Sequence, residues 1–158
     1  MDLQLKRNTL LEQKGDLWEL AKIPNILCLS TNGFVKKSGE CVMGRGIAKE
    51  AKDRFPAIAK DLGRAIQLGG NNVEDLGPYG NYYIFSFPVK HNWWEKADPK
   101  LIVKSMHQLL NLVDTCFSGR RQRIYLPRVG CGNGQLKWED VKPLLSDVLD
   151  DRFIAVSK

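Results

Sequence analysis

The sequence predicts a single α/β domain whose central sheet is covered by helices on both faces. Its 158 residues are enough for one domain with a sizeable core. Short β-prone apolar runs alternate with segments of helical periodicity, which is the order typical of α/β layered proteins. Two glycine-rich loops each lie between a strand and a helix. We therefore treat residues 1–158 as one domain.

The alternation of strands and helices is clear in the first part of the chain. Residues 26–30 form an apolar strand that ends in a turn, and residues 82–87 form a second strand rich in aromatic residues. Between them, residues 47–55 carry their apolar side chains on one helical face. Weaker signals predict two further short strands, one between Thr9 and Gln13 and one near Gln67.

The last part of the chain continues the same pattern. Asp98-Pro99 is an N-cap and first-turn pair, and it opens a helix that Gly119 ends. Residues 123–127 form a strand that leads into a glycine-rich loop. A helix beginning near Glu139 and a final strand over residues 153–156 complete the predicted domain.

The composition argues against several classes of protein. No apolar run approaches the roughly 20 residues that a membrane-spanning helix needs, and the first residues lack the apolar core of a signal peptide. The four cysteines show no pairing rhythm, and the two histidines are too few for a zinc site of the usual kind. We therefore expect a cytoplasmic monomer without membrane contact, metal or cofactor.

The charge of the chain favours an anionic partner. The formal net charge is +6 and the isoelectric point is near 9.2. Nucleic acid and a phosphorylated small molecule both fit this charge. A basic surface that serves solubility alone is the alternative.

Two glycine-rich loops are the strongest functional signal. They are Cys41-Val42-Met43-Gly44-Arg45-Gly46-Ile47-Ala48 and Gly130-Cys131-Gly132-Asn133-Gly134. Glycine lets backbone N–H groups approach an anion closely, and a helix N-terminus adds a favourable dipole. Two such loops at one sheet edge can hold a diphosphate from both sides. The alternative is that each loop is merely a tight turn between a strand and a helix.

Neither loop has the pattern of the common nucleotide-binding motifs. The Gly-Lys-Ser/Thr ending of a P-loop is missing, and so is the Gly-x-Gly-x-x-Gly spacing of dinucleotide-binding proteins. The sequence therefore argues against a kinase and against a dehydrogenase.

Five motifs make the chain resemble the macrodomain family. They are Lys14-Gly15-Asp16-Leu17, Asn32-Gly33, Met43 to Ala48, Phe87-Pro88-Val89-Lys90 and Leu126 to Gly134. They occur in the order that macrodomains use and cover nearly the whole chain. The resemblance implies a three-layer α/β/α fold with a mixed central sheet, and a site that binds ADP-ribose.

Within the family, the chain resembles two branches that remove ADP-ribose. One holds the terminal ADP-ribose protein glycohydrolase, and the other holds bacterial antitoxin macrodomains that remove ADP-ribose from thymidine in DNA. The Phe-Pro-x-Lys and Gly-Cys-Gly-Asn-Gly signatures carry the second likeness. The protein glycohydrolase has an aspartate in its second glycine loop, whereas this chain has Asn133-Gly134 there. That difference favours the DNA-directed branch.

The resemblance implies a role in ADP-ribose binding for the following residues. Asp16, with Leu17 beside it, would accept a hydrogen bond from the adenine amino group, and Asn32 would contact the distal ribose. The residues of the two loops would hold the diphosphate and line the site: Met43, Gly44, Arg45, Gly46, Ile47, Ala48, Gly130, Cys131, Gly132, Asn133 and Gly134. Arg45 is expected to point outward.

Several of these residues have simpler interpretations. Asp16 is also a suitable N-cap, and Asn32 is also a suitable turn residue before Gly33. Cys131 is either a nucleophile or, with no base evident near it in sequence, a small side chain packed under the loop.

Lys90 and Asn32 are the catalytic candidates. In the resembled branch, the lysine of Phe-Pro-x-Lys lies at the anomeric carbon of the distal ribose. A partly desolvated amine can act there as a nucleophile or acid, and an ammonium can instead stabilise the leaving group and orient water. An ordinary solvated lysine at a strand end is the alternative.

Aromatic and basic residues near these motifs suggest contacts with nucleic acid. Trp93 and Trp94 either border the cleft, where indole faces stack on bases, or pack beneath the loop. The basic runs Lys36-Lys37 and Arg120-Arg121-Arg123 either contact a DNA backbone or form a solvated face.

The favoured function is an ADP-ribosyl hydrolase that removes ADP-ribose from a macromolecule by means of Lys90. The favoured site of attachment in that macromolecule is a DNA base. The alternatives are an ADP-ribose 1″-phosphate phosphatase and a non-catalytic module that only binds ADP-ribose. The fold hosts all three functions, so it does not discriminate among them. The expected partners are ADP-ribose and ADP-ribosylated DNA.

Overall fold

The computed structural model describes residues 8–117 and 121–158. Strands and helices alternate through most of this part of the chain. The strands are β1 (Leu11–Lys14), β2 (Ile26–Asn32), β3 (Asp75–Tyr79), β4 (Tyr82–Lys90), β5 (Ile124–Pro127) and β6 (Phe153–Ser157). The helices are α1 (Leu17–Leu20), α2 (Gly46–Arg54), α3 (Ile58–Gly69), α4 (Pro99–Cys116) and α5 (Trp138–Ser146), and Gly132–Gly134 forms one 3₁₀ turn.

The strands form one mixed sheet in the order β1-β6-β5-β2-β4-β3. Every neighbouring pair is parallel except β3 and β4, which are antiparallel. The mixed sheet predicted from the family resemblance is therefore confirmed. Because β1, β6, β5, β2 and β4 run in one direction, their carboxyl ends meet at the same edge.

The sheet has a hydrophobic core on each face, as the predicted three-layer fold requires. Strand β2 contributes to both cores. Ile26 and Cys28 pack with residues of α4 and α5, whereas Leu27 and Leu29 pack with residues of α1, α2 and α3. A strand covered on both faces carries apolar residues at every position rather than at alternate ones. This explains the unbroken apolar run of residues 26–29.

Most predicted elements are confirmed, with two errors. The strand near Gln67 is wrong, because that residue belongs to α3. Ile58, Leu62 and Ile66 recur at intervals of four on this helix and pack into one core. Strand β3 was missed because its Gly77 and Pro78 are poor strand formers. An edge strand tolerates such residues, and β3 pairs on one side with β4.

The N-termini of α4 and α5 lie within one residue of their predicted positions. Asp98 caps α4 as predicted, since its Oδ1 accepts a hydrogen bond from the Lys100 amide at 2.9 Å. The predicted helix terminator Gly119 lies outside the described residues. Helix α5 begins at Trp138, one residue before the expected start, and contains Pro143. In the part of the chain that is described, no helix is long and apolar enough to span a bilayer.

One glycine contact joins α3 to the segment that leads into the first glycine loop. A Cβ on Gly63 would overlap the backbone carbonyl oxygen of Gly39 and lie 3.0 Å from the Cys41 nitrogen. The Cys41 amide also donates to the Ala59 carbonyl at 2.9 Å. Helix α3 thus contacts the backbone just before the loop, and the contact leaves no room for a side chain.

We expect Gly63→Ala to lower the free energy of unfolding by about 1–3 kcal/mol, because the added methyl group displaces backbone on both sides. Gly69→Ala is the matched control at the end of the same helix, where a Cβ would have nothing within 4 Å. That change is expected to be neutral or to stabilise by up to about 1 kcal/mol. Urea denaturation of both variants measures the difference. Equal stability of the two variants would contradict the contact.

Candidate functional site at the carboxyl edge of the sheet

A cleft of about 1140 Å³ lies at the edge where the carboxyl ends of the parallel strands meet. All residues predicted for the site line this cleft. They are Asp16, Leu17, Asn32, Met43, Gly44, Arg45, Gly46, Ile47, Ala48, Lys90, Gly130, Cys131, Gly132, Asn133 and Gly134. The topology thus brings together residues that are separated by more than one hundred positions in the sequence.

The strand order arranges the site along the cleft. Asp16 follows β1 at one end, and Lys90 is the last residue of β4 towards the other end. The second glycine loop follows β5, which lies between them. Four inter-strand steps separate β1 from β4, which corresponds to about 19 Å at about 4.8 Å a step. The cleft is therefore elongated, with different chemistry at its two ends.

The first loop leaves the N-terminus of α2 open to the cleft. Arg45 is the N-cap residue, has extended backbone angles and provides no side-chain cap. Gly46 begins the helix with a φ of 61°, in the left-handed region that favours glycine. The first N–H groups of a helix lack intrahelical partners, so this end is suited to an anion. Met43 and Ala48 are buried, which anchors the loop in the core.

The glycines of the second loop divide into two kinds. Gly130 and Gly134 are buried, and a Cβ on them would lie 2.6 Å from the Ile102 Cδ1 and 2.9 Å from the Ala97 Cβ, respectively. These two glycines support the tight-turn interpretation. Gly132 is exposed, has a φ of 70° and would have nothing within 4 Å of a Cβ. Its backbone is the accessible part of the loop.

The two loops face one another across the cleft. A Cβ placed on Gly46 would lie 3.7 Å from the Nδ2 atom of Asn133. An anion bound at the start of α2 would therefore also be near the second loop. The predicted pairing of the two loops in space is confirmed.

Asp16 caps α1 and also lines the cleft. Its Oδ1 accepts a hydrogen bond from the Trp18 amide at 2.9 Å. The side chain is exposed, and a carboxylate has acceptor capacity on both oxygens. The N-cap interpretation is thus confirmed, and it leaves the outer oxygen available to a ligand.

Asn32 and Lys90 are partners across neighbouring strands. They are paired in the register of β2 and β4, immediately after a bulge between Thr31 and Asn32. The Asn32 amide donates to the Val42 carbonyl at 2.9 Å, and its oxygen accepts from the Phe34 amide at 3.0 Å. The turn interpretation of Asn32 is therefore confirmed, and these bonds fix its side chain beside Lys90.

The Lys90 amine lies in a partly buried, cationic environment. Its Nζ donates to the Trp93 carbonyl at 3.4 Å. Burial, and secondly the positive charge of Arg45, lower the pKa of Lys90 from its usual range. Lys90 therefore carries a larger neutral fraction at a given pH than a solvated lysine does.

Asn71 holds the backbone of Lys90 and was not predicted. Its Nδ2 donates to the Lys90 carbonyl at 3.0 Å. A Cβ on Gly33 would lie 2.7 Å from the same side-chain amide, so the Asn32-Gly33 turn leaves space for Asn71. No local sequence signal relates Asn71 to Lys90, because the contact arises between a loop and a strand end.

The sequence prediction also missed three residues at the Asp16 end. Trp18 donates from Nε1 to Glu50 at 2.8 Å, and the Arg54 guanidinium lies 4.2 Å from the centre of the indole ring. All three line the cleft. Gly46, Glu50 and Arg54 are spaced by four along α2, so helical periodicity from the first loop would have indicated Glu50 and Arg54.

The described lining of the cleft is strongly basic. Its cationic side chains are Lys36, Arg45, Arg54, Lys90, Arg128 and Lys158, whereas its acidic side chains are Asp16 and Glu50. An excess of one charge in a concave site raises the local concentration of oppositely charged ligands. The cleft is thus suited to a polyanion.

The structure separates the remaining aromatic and basic candidates. Trp93 lines the cleft, whereas Trp94 lies beyond its lining and contacts Phe34. Of the first basic run, Lys36 lines the cleft. Arg121 and Arg123 lie just before the amino end of β5, at the edge of the sheet opposite to the cleft. Arg120 lies outside the described residues.

Cys131 has the environment of a packing residue. It is half-buried, packs against the core and has its Sγ 3.7 Å from the Val129 carbonyl. Burial raises the pKa of its thiol, and the charge of Arg128 offsets this effect only in part. A raised pKa disfavours the thiolate that a nucleophile needs. Among the described residues, no cluster of three His, Cys, Asp or Glu side chains is arranged to hold a metal.

Proteins of related sequence carry names that concern ADP-ribose. The chain is 33% identical over 115 residues to the DNA ADP-ribosyl glycohydrolase of Thermus aquaticus, a match that covers 69% of this chain and 31% of that protein. It is 25% identical over 146 residues to the human ADP-ribose glycohydrolase OARD1, covering 91% and 86%. The chain thus spans about a third of the length of the first relative. No family model matches the chain.

Solved structures of the same fold extend over nearly the whole chain. The macrodomain of Thermus aquaticus DarG superposes with a TM-score of 0.73 at 27% identity, covering 96% of this chain and 99% of that one. Thermosipho africanus DarTG in complex with ADP-ribose gives a TM-score of 0.70 at 20% identity, covering 93% and 42%. The sheet and both helical layers are therefore shared with these proteins.

The environment of Cys131 predicts its reactivity. With iodoacetamide at pH 8, we expect Cys131 to be alkylated several-fold more slowly than the exposed Cys116, because burial limits both access and thiolate formation. Peptide mass spectrometry over time measures both rates in one sample. Labelling of Cys131 ahead of Cys116 would restore the nucleophile hypothesis.

Proposed function

Because this chain belongs to the macrodomain family, we propose that it is an ADP-ribosyl hydrolase that releases ADP-ribose from a macromolecule. Its substrate in this proposal is an ADP-ribosylated base of DNA. The observation that carries the proposal is the order of groups along the cleft. A carboxylate lies at one end, two backbone loops lie near the middle, and the Asn32–Lys90 pair lies towards the other end. This order corresponds to a base, a diphosphate and a distal sugar.

Each part of ADP-ribose has a group of matching chemistry. The outer oxygen of Asp16 accepts a hydrogen bond from the adenine amino group. The open N-terminus of α2, with Gly44, Gly46 and Ile47, and the exposed backbone of Gly132 bind the diphosphate. Cationic side chains around the cleft neutralise its charge.

At the sugar end, Asn32 and Lys90 act on the distal ribose. The Asn32 oxygen accepts from the Phe34 amide and the Cys41 thiol, and its amide donates to the Val42 carbonyl, which leaves one N–H for the sugar hydroxyls. The site thus orients the anomeric carbon of that ribose towards the Lys90 amine.

Lys90 acts as the nucleophile in this proposal, and its lowered pKa supports that role. The neutral Nζ attacks the anomeric carbon, the glycosidic bond to the base breaks, and the proton lost by the amine is transferred to the base. Water then attacks the same carbon, which releases ADP-ribose and regenerates the lysine amine. Burial of the amine favours the neutral form that the first step needs.

Three observations favour DNA over protein as the substrate. The second loop carries Asn133, so Lys90 has no aspartate partner at that position. The relative named for DNA ADP-ribosyl glycohydrolase activity is 33% identical, compared with 25% for the human ADP-ribose glycohydrolase. The basic cleft also suits a substrate with a phosphodiester backbone.

We also propose a cytoplasmic location, which is supported by the state of the cysteines. Cys28, Cys41, Cys116 and Cys131 are all free thiols. Unpaired cysteines are typical of proteins in a reducing compartment.

Lys90→Ala should lower kcat for hydrolysis by at least about 10²-fold. The Kd for ADP-ribose should change little, because the two loops are intact. Release of ADP-ribose measures the first effect, and calorimetry measures the second. Lys104→Ala is the matched control, since Lys104 is exposed on α4 and does not line the cleft. Unchanged turnover in Lys90→Ala would exclude the lysine mechanism.

A substrate panel decides between the candidate functions. It contains ADP-ribosylated single-stranded DNA, glutamate-linked and serine-linked ADP-ribosylated proteins, and ADP-ribose 1″-phosphate. We expect release from the DNA. Activity confined to the 1″-phosphate would establish a phosphatase instead. Tight ADP-ribose binding with no release from any substrate would establish a non-catalytic binding module.

Arg45→Gln should change the pH dependence of kcat. Removing the cation raises the pKa of Lys90, so less neutral amine is present at a given pH. The rising limb of the profile should therefore move to higher pH, with a slower reaction near neutrality. Arg128→Gln is the control, because Arg128 also lines the cleft but does not contribute to the shift at Lys90. If kcat instead falls as the pH rises, and this fall moves to higher pH in Arg45→Gln, the ammonium form of Lys90 is the active one.

A further inference from the structure

Three aromatic side chains form a cluster beside the cleft, which we call the aromatic platform: the exposed Trp93 and Trp94 and the half-buried Phe34. The Trp93 and Trp94 rings have centroids 5.5 Å apart at 90°, and Trp94 and Phe34 have centroids 5.4 Å apart at 68°. Trp93 is 49% exposed and Trp94 is 59% exposed. In a perpendicular pair the edge of one ring covers part of one face of the other, and the exposed fractions leave the remaining surface of both indoles open to solvent.

The platform adjoins the Lys90 end of the cleft. The Trp93 carbonyl accepts the hydrogen bond from the Lys90 Nζ, and the Phe34 amide donates to Asn32. Phe34 and Trp93 also line the cleft, whereas Trp94 extends the aromatic surface outward. A base attached to a sugar at Lys90 would therefore lie next to this surface.

Cationic side chains lie on the same segments as the rings of the platform. Lys36 and Lys37 follow Phe34, and Lys96 follows Trp94 by two residues; all three are exposed. Within residues 8–117 and 121–158, none of them forms an ion pair. The carboxylates of Glu40 and Glu95 accept hydrogen bonds from neutral donors, the Ser38 hydroxyl and the Asn92 amide, and form no ion pair with these lysines. Three cations without an ion pair in the described part of the chain therefore lie on the segments that carry the rings.

We propose that the aromatic platform stacks the bases that flank the ADP-ribosylated nucleotide in single-stranded DNA, with Lys36, Lys37 and Lys96 near the phosphates. Exposed aromatic rings interleaved with cations are the combination that binds single strands, because every base has a face to stack and every linkage has a charge. In a duplex the base faces are already covered. The proposal rests on the proposed function in one respect, the placement of the modified base at Lys90.

The first test compares two substrates with the same modified base, one a free nucleoside and one in the centre of a nonamer. We expect kcat/KM to be about 5- to 150-fold higher for the nonamer, the factor for one stacked base. Trp94→Ala should remove most of this advantage without changing kcat/KM for the nucleoside, since Trp94 does not line the cleft. Lys37→Ala should weaken the advantage and its dependence on salt.

The control for these variants is Leu68→Ala, which removes an 82% exposed apolar side chain on α3 outside the cleft. It should leave both substrates unaffected. Equal kcat/KM for nucleoside and nonamer, or a nonamer advantage that survives Trp94→Ala, would overturn the platform.

The second test does not depend on hydrolysis. Unmodified single-stranded nonamer is titrated into the wild-type protein and into Trp94→Ala, with binding followed by fluorescence anisotropy of a labelled strand. We expect the wild-type protein to bind the single strand, and we expect Trp94→Ala to raise the Kd at least five-fold. A duplex of the same sequence should bind the wild-type protein more weakly than the single strand does.

The two tests separate failure of the platform from failure of the proposed function. If neither substrate is hydrolysed but the strand binds through Trp94, the platform stands and the proposed hydrolase function fails. If both substrates are hydrolysed but the strand binds equally to both proteins, the function stands and the platform is wrong. The latter result would point to a protein partner for this surface.

Discussion

The parallel alignment of five strands is the constraint on which the whole site depends. Because β1, β6, β5, β2 and β4 run in one direction, the segments that follow them emerge at one edge of the sheet. Residues as distant in sequence as Asp16 and Asn133 line one cleft for this reason. The strand order then decides the sequence of chemical groups along the cleft. An antiparallel sheet would place half of these segments at the opposite edge.

The glycines of the loops serve two separate purposes. Gly130 allows close packing against Ile102 of α4 and Gly134 against Ala97 just before α4, and Gly63 allows α3 to contact the backbone near Gly39. Gly44 and Gly132 have open space where a Cβ would be, so the packing does not require a glycine there. Packing glycines thus hold the loops in position, and the open glycines expose backbone N–H groups to the cleft. A glycine-rich motif read from sequence combines both purposes.

The basic character of the cleft has consequences at both ends. An excess of cations attracts a diphosphate, and the same field disfavours the protonated form of a lysine within it. Arg45 connects these effects, since it lines the cleft and lowers the pKa of Lys90. Asn71 holds the Lys90 carbonyl by a hydrogen bond that does not depend on the charge of the amine. The backbone of Lys90 is therefore held in either protonation state of its side chain.

The sequence alone determined the fold class and most of the elements, which depend on local signals such as apolar periodicity and helix caps. The ordered motifs and the family resemblance they carry indicated much of the lining of the cleft, but not Trp18, Glu50 or Arg54. It did not reveal β3, whose Gly77 and Pro78 are tolerated only at a sheet edge, and it assigned a strand near Gln67 within α3. The tertiary structure alone decided that Asn71 supports Lys90, that Trp18 faces Glu50, and that Trp93 and Trp94 have different environments. Such contacts join residues from separate elements, and only the packing of the layers sets the distances between them.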